Sequence, residues 1–265
     1  MDTGICLWMS VAVRAEARHA SEMVTQLLFG ETYRVLIATT EWLNIRTDDC
    51  GYEGWISTKQ HTALTEEQYT QYLSMPKQLV DTPFLYLRDA DTHIAFPIFI
   101  GSQFPKPQDG SFTIGSRRFT TDAVSAPSSL RHKGLSEQQD RLLSVAFQYL
   151  NAPYLWGGRT PAGIDCSGFV QMVFKQIGID LPRDASQQVH AGQVIDFIQE
   201  AQIGDIAFFE NEEGVIVHTG IVCGYQQIIH ASGHVQINTL DETGIFHTGL
   251  KKYTHRLRII KRVLL

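Results

Sequence analysis

Residues 153–174 read PYLWGGRTPAGIDCSGFVQMVF, and the architecture of the C-terminal half turns on this stretch. Its first part, rich in Gly and Pro, has the chemistry of a loop. Beyond it Phe169, Val170, Val173, Phe174 and Ile177 fall on one helical face, and Gly178 stands where a glycine ends a helix. The spacing predicts a helix that begins near Asp165 or Cys166. Upstream, Leu142, Leu143, Ala146, Phe147 and Leu150 repeat at helical spacing behind Ser136-Glu137-Gln138-Gln139, a capping-box pattern. Downstream, DIAFFE (205–210), GVIVHTGIVCG (214–224), QQIIHAS (226–232), HVQINT (234–239) and HRLRIIKRV (255–263) read as strands. Helices first and strands afterwards predict an α+β domain with an antiparallel sheet over residues 136–265.

The first half of the chain has a different character. VTQLLFGETYRVLIATT (24–40), EWLNIRT (41–47) and GYEGWIS (51–57) are short β-rich runs broken at Gly, Asp and Asn, so a small all-β barrel is expected over 1–62. Thr65-Glu66-Glu67-Gln68 has a capping-box pattern and Pro76 ends the helical run, which predicts a helical connector over 63–76. FLYLRD, HIAFPIFIG, SFTIG and RRFTT then predict a second small barrel over 77–126. SAPSSLRHKG (125–134) is polar and turn-rich, and 127–135 reads as a linker.

Composition narrows the function. The 265 residues carry 22 Lys+Arg against 28 Asp+Glu, a net charge of −6, which argues against a protein that neutralises nucleic-acid phosphates. No apolar run approaches the roughly 20 residues of a membrane span. The N-terminal MDTGICLWMSVAVRAEARHA has an acid at Asp2 and no basic leader region, so no signal peptide is read and a cytoplasmic protein is expected. The four cysteines, Cys6, Cys50, Cys166 and Cys223, have neither disulfide-framework nor CxxC spacing.

Cys166 is the candidate nucleophile. At a helix N-terminus, free N–H groups and the dipole favour the thiolate that acyl-transfer chemistry needs. Two histidines lie on strands that can reach it. If the strands form a hairpin around Gly224, His218 and His230 stand directly opposite each other, one as base and the other fixing its tautomer. The same atoms offer a competing zinc reading, with Asp165 or His234 as a fourth ligand. Tyr154, Trp156, Gly157 and Gly158 form an aromatic loop that either lines a groove or packs over the core. Asp184, in LPRDASQQ, reads as a helix cap or as a partner for a substrate amine.

These residues resemble a known family. The 153–174 stretch, with RDASQQ, HTGIV and IIHASG, is similar to the NlpC-type cell-wall cysteine peptidases of the papain-like superfamily. GICLWMSVAVRAE, SEMVTQLLFGE and GYEGWIS resemble the bacterial SH3-like domains that precede the catalytic domain in γ-D-glutamyl-L-diamino acid endopeptidases. The resemblance implies a papain-like catalytic domain behind two SH3-like barrels. It also implies hydrolysis of the bond between γ-D-Glu and the diamino acid in murein stem peptides with a free N-terminal L-Ala. Cys166 is then similar to the nucleophile, His218 to the base and His230 to the third polar residue. Tyr52 looks like the tyrosine that the first SH3-like domain extends over the active site, and Tyr154, Asp165, Ser167 and Asp184 match substrate-pocket positions. Where some members carry an acid before the TQ pair, this chain has Val24, which leaves Glu22 or Asp184 for the substrate amine. The resemblance calls for a murein peptide as partner and for no cofactor or metal, and it leaves the number of copies in the assembly open. An amidase or acyltransferase on the same scaffold, and a non-catalytic wall-fragment binder, are the alternative readings.

Overall fold

The computed structural model describes residues 2–121 and 134–264, and the chain divides into two compact units, Met1–Ser128 and Ser129–Leu265. The expected 127–135 linker falls outside the described residues except at its last two positions.

The N-terminal unit is built on a seven-stranded antiparallel sheet, in the order Met23–Leu28, Ser10–Arg14, Glu53–Ser57, Trp42–Thr47, Thr32–Ala38, Thr3–Ile5 and Thr62–Leu64. Period-two alternation explains it: Val11 and Val13 are buried between the less buried Ser10, Ala12 and Arg14, and join Leu27, Val35, Ile45 and Ile56 in one core. Because Thr62–Leu64 pairs with Thr3–Ile5, the sheet runs beyond residue 62.

The segment read as a connector is part of the unit's core. Its helix, Glu66–Ser74, is opened by the Thr65–Gln68 capping box as the sequence predicts. Tyr69 and Tyr72 are buried, and Tyr72 Oη donates to the Gly30 carbonyl at 2.7 Å. Residues 77–121 form no closed barrel. They make a four-stranded antiparallel sheet (Phe84–Asp89, Ala95–Phe99, Ser111–Ile114, Arg117–Thr120) and a two-stranded one (Lys77–Leu79, Gln103–Pro105). Their Leu87, Ile98, Phe104, Phe112 and Phe119 share one apolar cluster with Ile5, Phe29, Leu64, Tyr69 and Tyr72. So short a segment buries too little surface alone, and it completes its core against the first sheet.

Among the described residues of the C-terminal unit three α-helices precede the barrel strands: Leu135–Phe147, Cys166–Lys175 and Ala185–Gln188. The first opens after Gly134 without a side-chain cap, and the capping box expected at Ser136 is not made. Gln139, which should reach back, instead donates to the Ile203 carbonyl at 2.9 Å. This helix buries Leu142, Val145 and Ala146, and ends at Phe147, so Phe147 and Leu150 are exposed.

The expected antiparallel sheet closes on itself. Strands Ile206–Glu210, Ile216–Gly224, Gln227–Ser232, His234–Leu240, Gly244–His247 and Lys252–Arg262 pair in sequence order, and the last also pairs with the first, giving a six-stranded barrel. Gln193–Ile195 adds to the outer edge of Lys252–Arg262. Ala207, Phe209, Val222, Ile228, Leu240, Ile245 and Ile260 form one cluster inside it. Closure is reinforced where Arg262 makes a bidentate pair with buried Asp205, at 2.9 and 2.8 Å. The helix Cys166–Lys175 packs against the strands that carry His218 and His230.

Candidate active site

Asp165 caps the helix that begins at Cys166, the candidate nucleophile. Its Oδ1 accepts from the Gly168 N–H at 2.7 Å, and its Oδ2 accepts from the Gly157 N–H at 2.8 Å. The glycines of the preceding loop are required by closeness: a Cβ on Gly158 would meet the Gly163 carbonyl oxygen at 2.3 Å, and one on Gly168 would meet the Gly158 carbonyl oxygen at 2.4 Å. The loop is thereby pressed onto the first helical turn. Arg183, 2% exposed, grips both oxygens of Asp165 and donates to Ser167 Oγ at 2.9 Å. Two buried opposite charges with their hydrogen bonds satisfied hold the start of the helix in place.

Cys166 lies 6% exposed at the first position of this helix. The backbone N–H groups of Ser167 and of Thr219, the residue next to His218, lower the thiol. These donors and Arg183 favour thiolate, but burial and the Asp165 charge outweigh them and push the thiol up to about 11. The helix-terminus donors act in the expected direction, and burial opposes them.

His218 and His230 meet as expected, by a different register. The hairpin pairs Ile221 with Ile229 and Val222 with Ile228, with a bulge between Val222 and Gly224. One step further along, His230 stands opposite Gly220, so His218 is its diagonal neighbour and not its direct partner. The shift is two residues, so both side chains keep one face. His218 Nε2 and His230 Nδ1 are 2.8 Å apart, with the rings edge to face at 85°. Val222 and Ile228 on the same faces belong to the barrel's interior cluster, which places the pair at one end of that lining.

Two residues that the local pattern did not single out complete the cluster. Asn238, on the next strand, lies 3.1 Å from His230 Nε2. His255 stacks on His218 with centroids 4.0 Å apart and 25° between planes, while Phe209 lies 5.7 Å from His218. Burial and neighbouring imidazoles hold His218 well below its ordinary range; the same causes bring His230 down to about 3, and burial lowers His255. Each of these shifts favours the neutral ring. A thiol and an imidazole that both favour the neutral form suit general-base activation at the moment of attack.

The remaining sequence candidates fall in identifiable places. Tyr154 is half-buried beside Cys166 and Asp165, and burial with these neighbours raises its phenol. Ser167 Oγ is tied to Arg183 and Asp165. The Asp165 carboxylate is engaged by Arg183, Gly157 and Gly168 and holds the start of the helix. Asp184 occupies the N-cap position of Ala185–Gln188 without a side-chain capping bond. Trp156 is 59% exposed on the loop before the nucleophile. Tyr52 belongs to the N-terminal unit, between Trp42–Thr47 and Glu53–Ser57, where its backbone carbonyl accepts from the Thr47 N–H at 2.9 Å. Val24 packs on that unit's first core. All four cysteines are free thiols.

Comparison with known proteins agrees with this geometry. Residues 151–254 match the NlpC/P60 family, and residues 13–60 match the bacterial dipeptidyl-peptidase SH3 domain. The chain is similar to a gamma-D-glutamyl-L-lysine dipeptidyl-peptidase of Bacillus subtilis, 33% identical over 83% of this chain and 76% of that one. A dipeptidyl-peptidase 6 of Lysinibacillus sphaericus is 25% identical over 90% of this chain and 92% of its own. The crystal structure of an NlpC/P60 family protein from Bacillus cereus superposes with a TM-score of 0.80 at 19% identity, covering 99% of this chain and all of that one, which shows a shared fold. With a cysteine at a capped helix start, a hydrogen-bonded imidazole pair on the strands that this helix packs against and this similarity along most of its length, the chain belongs to the NlpC/P60 family of cysteine peptidases.

Proposed function

We propose that this cysteine peptidase hydrolyses the bond between γ-D-Glu and the diamino acid of murein stem peptides that carry a free N-terminal L-Ala, and that it serves cell-wall recycling. The observation that carries the chemistry is the His218–His230 hydrogen bond on the strand whose Thr219 N–H faces Cys166. The substrate class is supported by the relatives named gamma-D-glutamyl-L-lysine dipeptidyl-peptidase, and the papain-like reading by a nucleophile helix packed on an antiparallel barrel.

Because His218 Nε2 is engaged with His230, Nδ1 is the nitrogen that takes the thiol proton. The sulfur attacks the γ-carbonyl carbon of D-Glu, and the imidazolium then returns the proton to the leaving diamino-acid amine. A water, deprotonated by the same nitrogen, cleaves the thioester and releases L-Ala-γ-D-Glu. With Asp165 committed to Arg183, the substrate amine falls to Asp184, whose backbone comes directly after Arg183. A stem peptide still joined to glycan has that amine capped as an amide and offers no cation. Recycled fragments are accordingly preferred, and that preference argues for a cytoplasmic location.

The test is mass spectrometry of L-Ala-γ-D-Glu-diaminopimelate and its N-acetylated twin, each incubated with the protein and with Cys166→Ala. Release of L-Ala-γ-D-Glu from the free peptide alone, abolished in the variant, is the expected result. Cleavage of neither peptide by the unaltered protein overturns the proposal, and equal cleavage of both overturns the recognition of the amine.

A further inference from the structure

Among the described residues, His218, His230 and His255 bring ring nitrogens within 4.8 Å of one another, a candidate cation site. The geometry favours a shared proton instead. Zinc with Zn–N bonds of about 2.0–2.1 Å holds tetrahedral nitrogen ligands about 3.3 Å apart. His218 Nε2 and His230 Nδ1 are 2.8 Å apart, a hydrogen-bond separation. His255 lies face-on to His218, so their in-plane lone pairs run side by side and do not converge on one point.

The direction of that shared hydrogen bond decides whether the site works. Asn238 stands opposite Ile228, one diagonal step from His230, and its carboxamide is 3.1 Å from His230 Nε2. The amide nitrogen faces the ring in the structure. In that orientation Asn238 donates to His230 Nε2, and His230 Nδ1–H donates to His218 Nε2. The proton of a neutral His218 then sits on Nδ1, the atom that must be bare to accept the thiol proton. With the amide turned over, His230 Nε2–H donates to Asn238 Oδ1, and His230 Nδ1 accepts from His218 Nε2–H. His218 Nδ1 is left bare. The oxygen and nitrogen of a carboxamide fill the same space, so the hydrogen-bond chain selects between them. Once His218 is an imidazolium, its Nε2–H needs His230 Nδ1 as acceptor, which obliges His230 to carry its proton on Nε2. An amide nitrogen there would oppose donor to donor.

We infer that Asn238 is a positioning residue that turns Oδ1 toward His230 Nε2–H and thereby keeps His218 Nδ1 bare for the Cys166 proton. The inference rests on the assignment of Cys166 as nucleophile and His218 as base. The step balances simply: the Sγ–H bond breaks, an N–H bond forms at Nδ1, and no proton moves beyond His218. The arrangement runs diagonally across three neighbouring strands, from His218 to His230 to Asn238, all on the face that lines the barrel.

The experiment uses the full chain without substrate. In ¹⁵N-histidine NMR at neutral pH, His218 is expected to be protonated at Nε2 and bare at Nδ1, with His230 protonated at Nε2. A proton on His218 Nδ1 overturns the inference. Alkylation of Cys166 by iodoacetamide at neutral pH is expected to slow by about 10²-fold in Asn238→Leu, which keeps the shape but has no acceptor. Asn238→Asp, which only accepts, is expected to restore the rate to within a few-fold. Its charge also moves the acid limb of the rate upward by stabilising an imidazolium among His218, His230 and His255, with His234 and His247 nearby. A merely structural role predicts equal losses in both variants and an unmoved acid limb, and that result overturns the proposal too. Should Asn238→Leu fail to fold, the tautomer pattern and the Asp variant still decide. Because no readout involves a peptide, an error in the proposed substrate leaves these outcomes unchanged and is told apart from them.

Discussion

Gly220 stands directly opposite His230, and a Cβ placed on it would lie 2.7 Å from the His230 Cβ and 2.8 Å from Ile228 Cδ1. The absence of a side chain is what opens the diagonal along which His218 reaches His230. Gly220→Ala is expected to displace the His230 ring and lower kcat by about 10²-fold with little change in KM. Steady-state cleavage of the murein tripeptide checks this; a kcat within twofold of the unaltered protein contradicts the geometry.

Arg183 and Asp165 form a buried pair at the start of the helix that begins at Cys166. Arg183→Leu leaves a buried carboxylate without its counter-charge, which costs about 3–5 kcal/mol. Urea unfolding of the C-terminal transition is expected to show that loss, and Arg183→Leu combined with Asp165→Asn is expected to recover much of it. Equal midpoints for the single and double variants would remove the pair as the cause.

The thiol of Cys166 is pushed up to about 11 and His218 is held well below its ordinary value, so both shifts favour the uncharged forms. The rate of Cys166 alkylation should keep rising from pH 7 to pH 10. A rate that levels off below pH 7 would instead reveal a preformed thiolate–imidazolium pair.

The histidine cluster also predicts how stability responds to acid. The folded values of His218, His230 and His255 are lowered, so the unfolded chain binds protons more readily than the folded one once the pH falls below about 6.5. Their contribution is present above that pH and is lost as the pH falls toward about 3, the value of His230. The melting temperature of the C-terminal transition should therefore fall steadily from pH 7 to pH 4. His230→Gln should flatten that slope, and an unchanged slope in this variant would show that other groups control acid unfolding.

Much of this site is legible in local pattern. Helical periodicity after a Gly-rich loop places Cys166 at a helix start, because a loop-to-helix transition is written in a dozen consecutive residues. Period-two alternation puts His218 and His230 on usable faces whatever the pairing, because a two-residue slip preserves the face. The register itself was not legible, since the bulge between Val222 and Gly224 adds a residue that no hairpin count anticipates. The capping box at Ser136 fails for a related reason: Gln139 has a competing partner, Ile203, 64 residues away.

What the sequence by itself determined is the helix start at Cys166, the strands that carry His218 and His230 and the change from β-rich to α+β halves, all of them properties of neighbouring residues. Only the tertiary structure decided that His255 lies on His218, that Asn238 ends the hydrogen-bond chain and that Arg183 occupies Asp165. It also decided that residues 77–121 share a core with the first sheet. Barrel closure joins the last strand to the first, and burial sets which charges survive. Both depend on contacts between distant parts of the chain, which a reading of neighbouring residues does not contain.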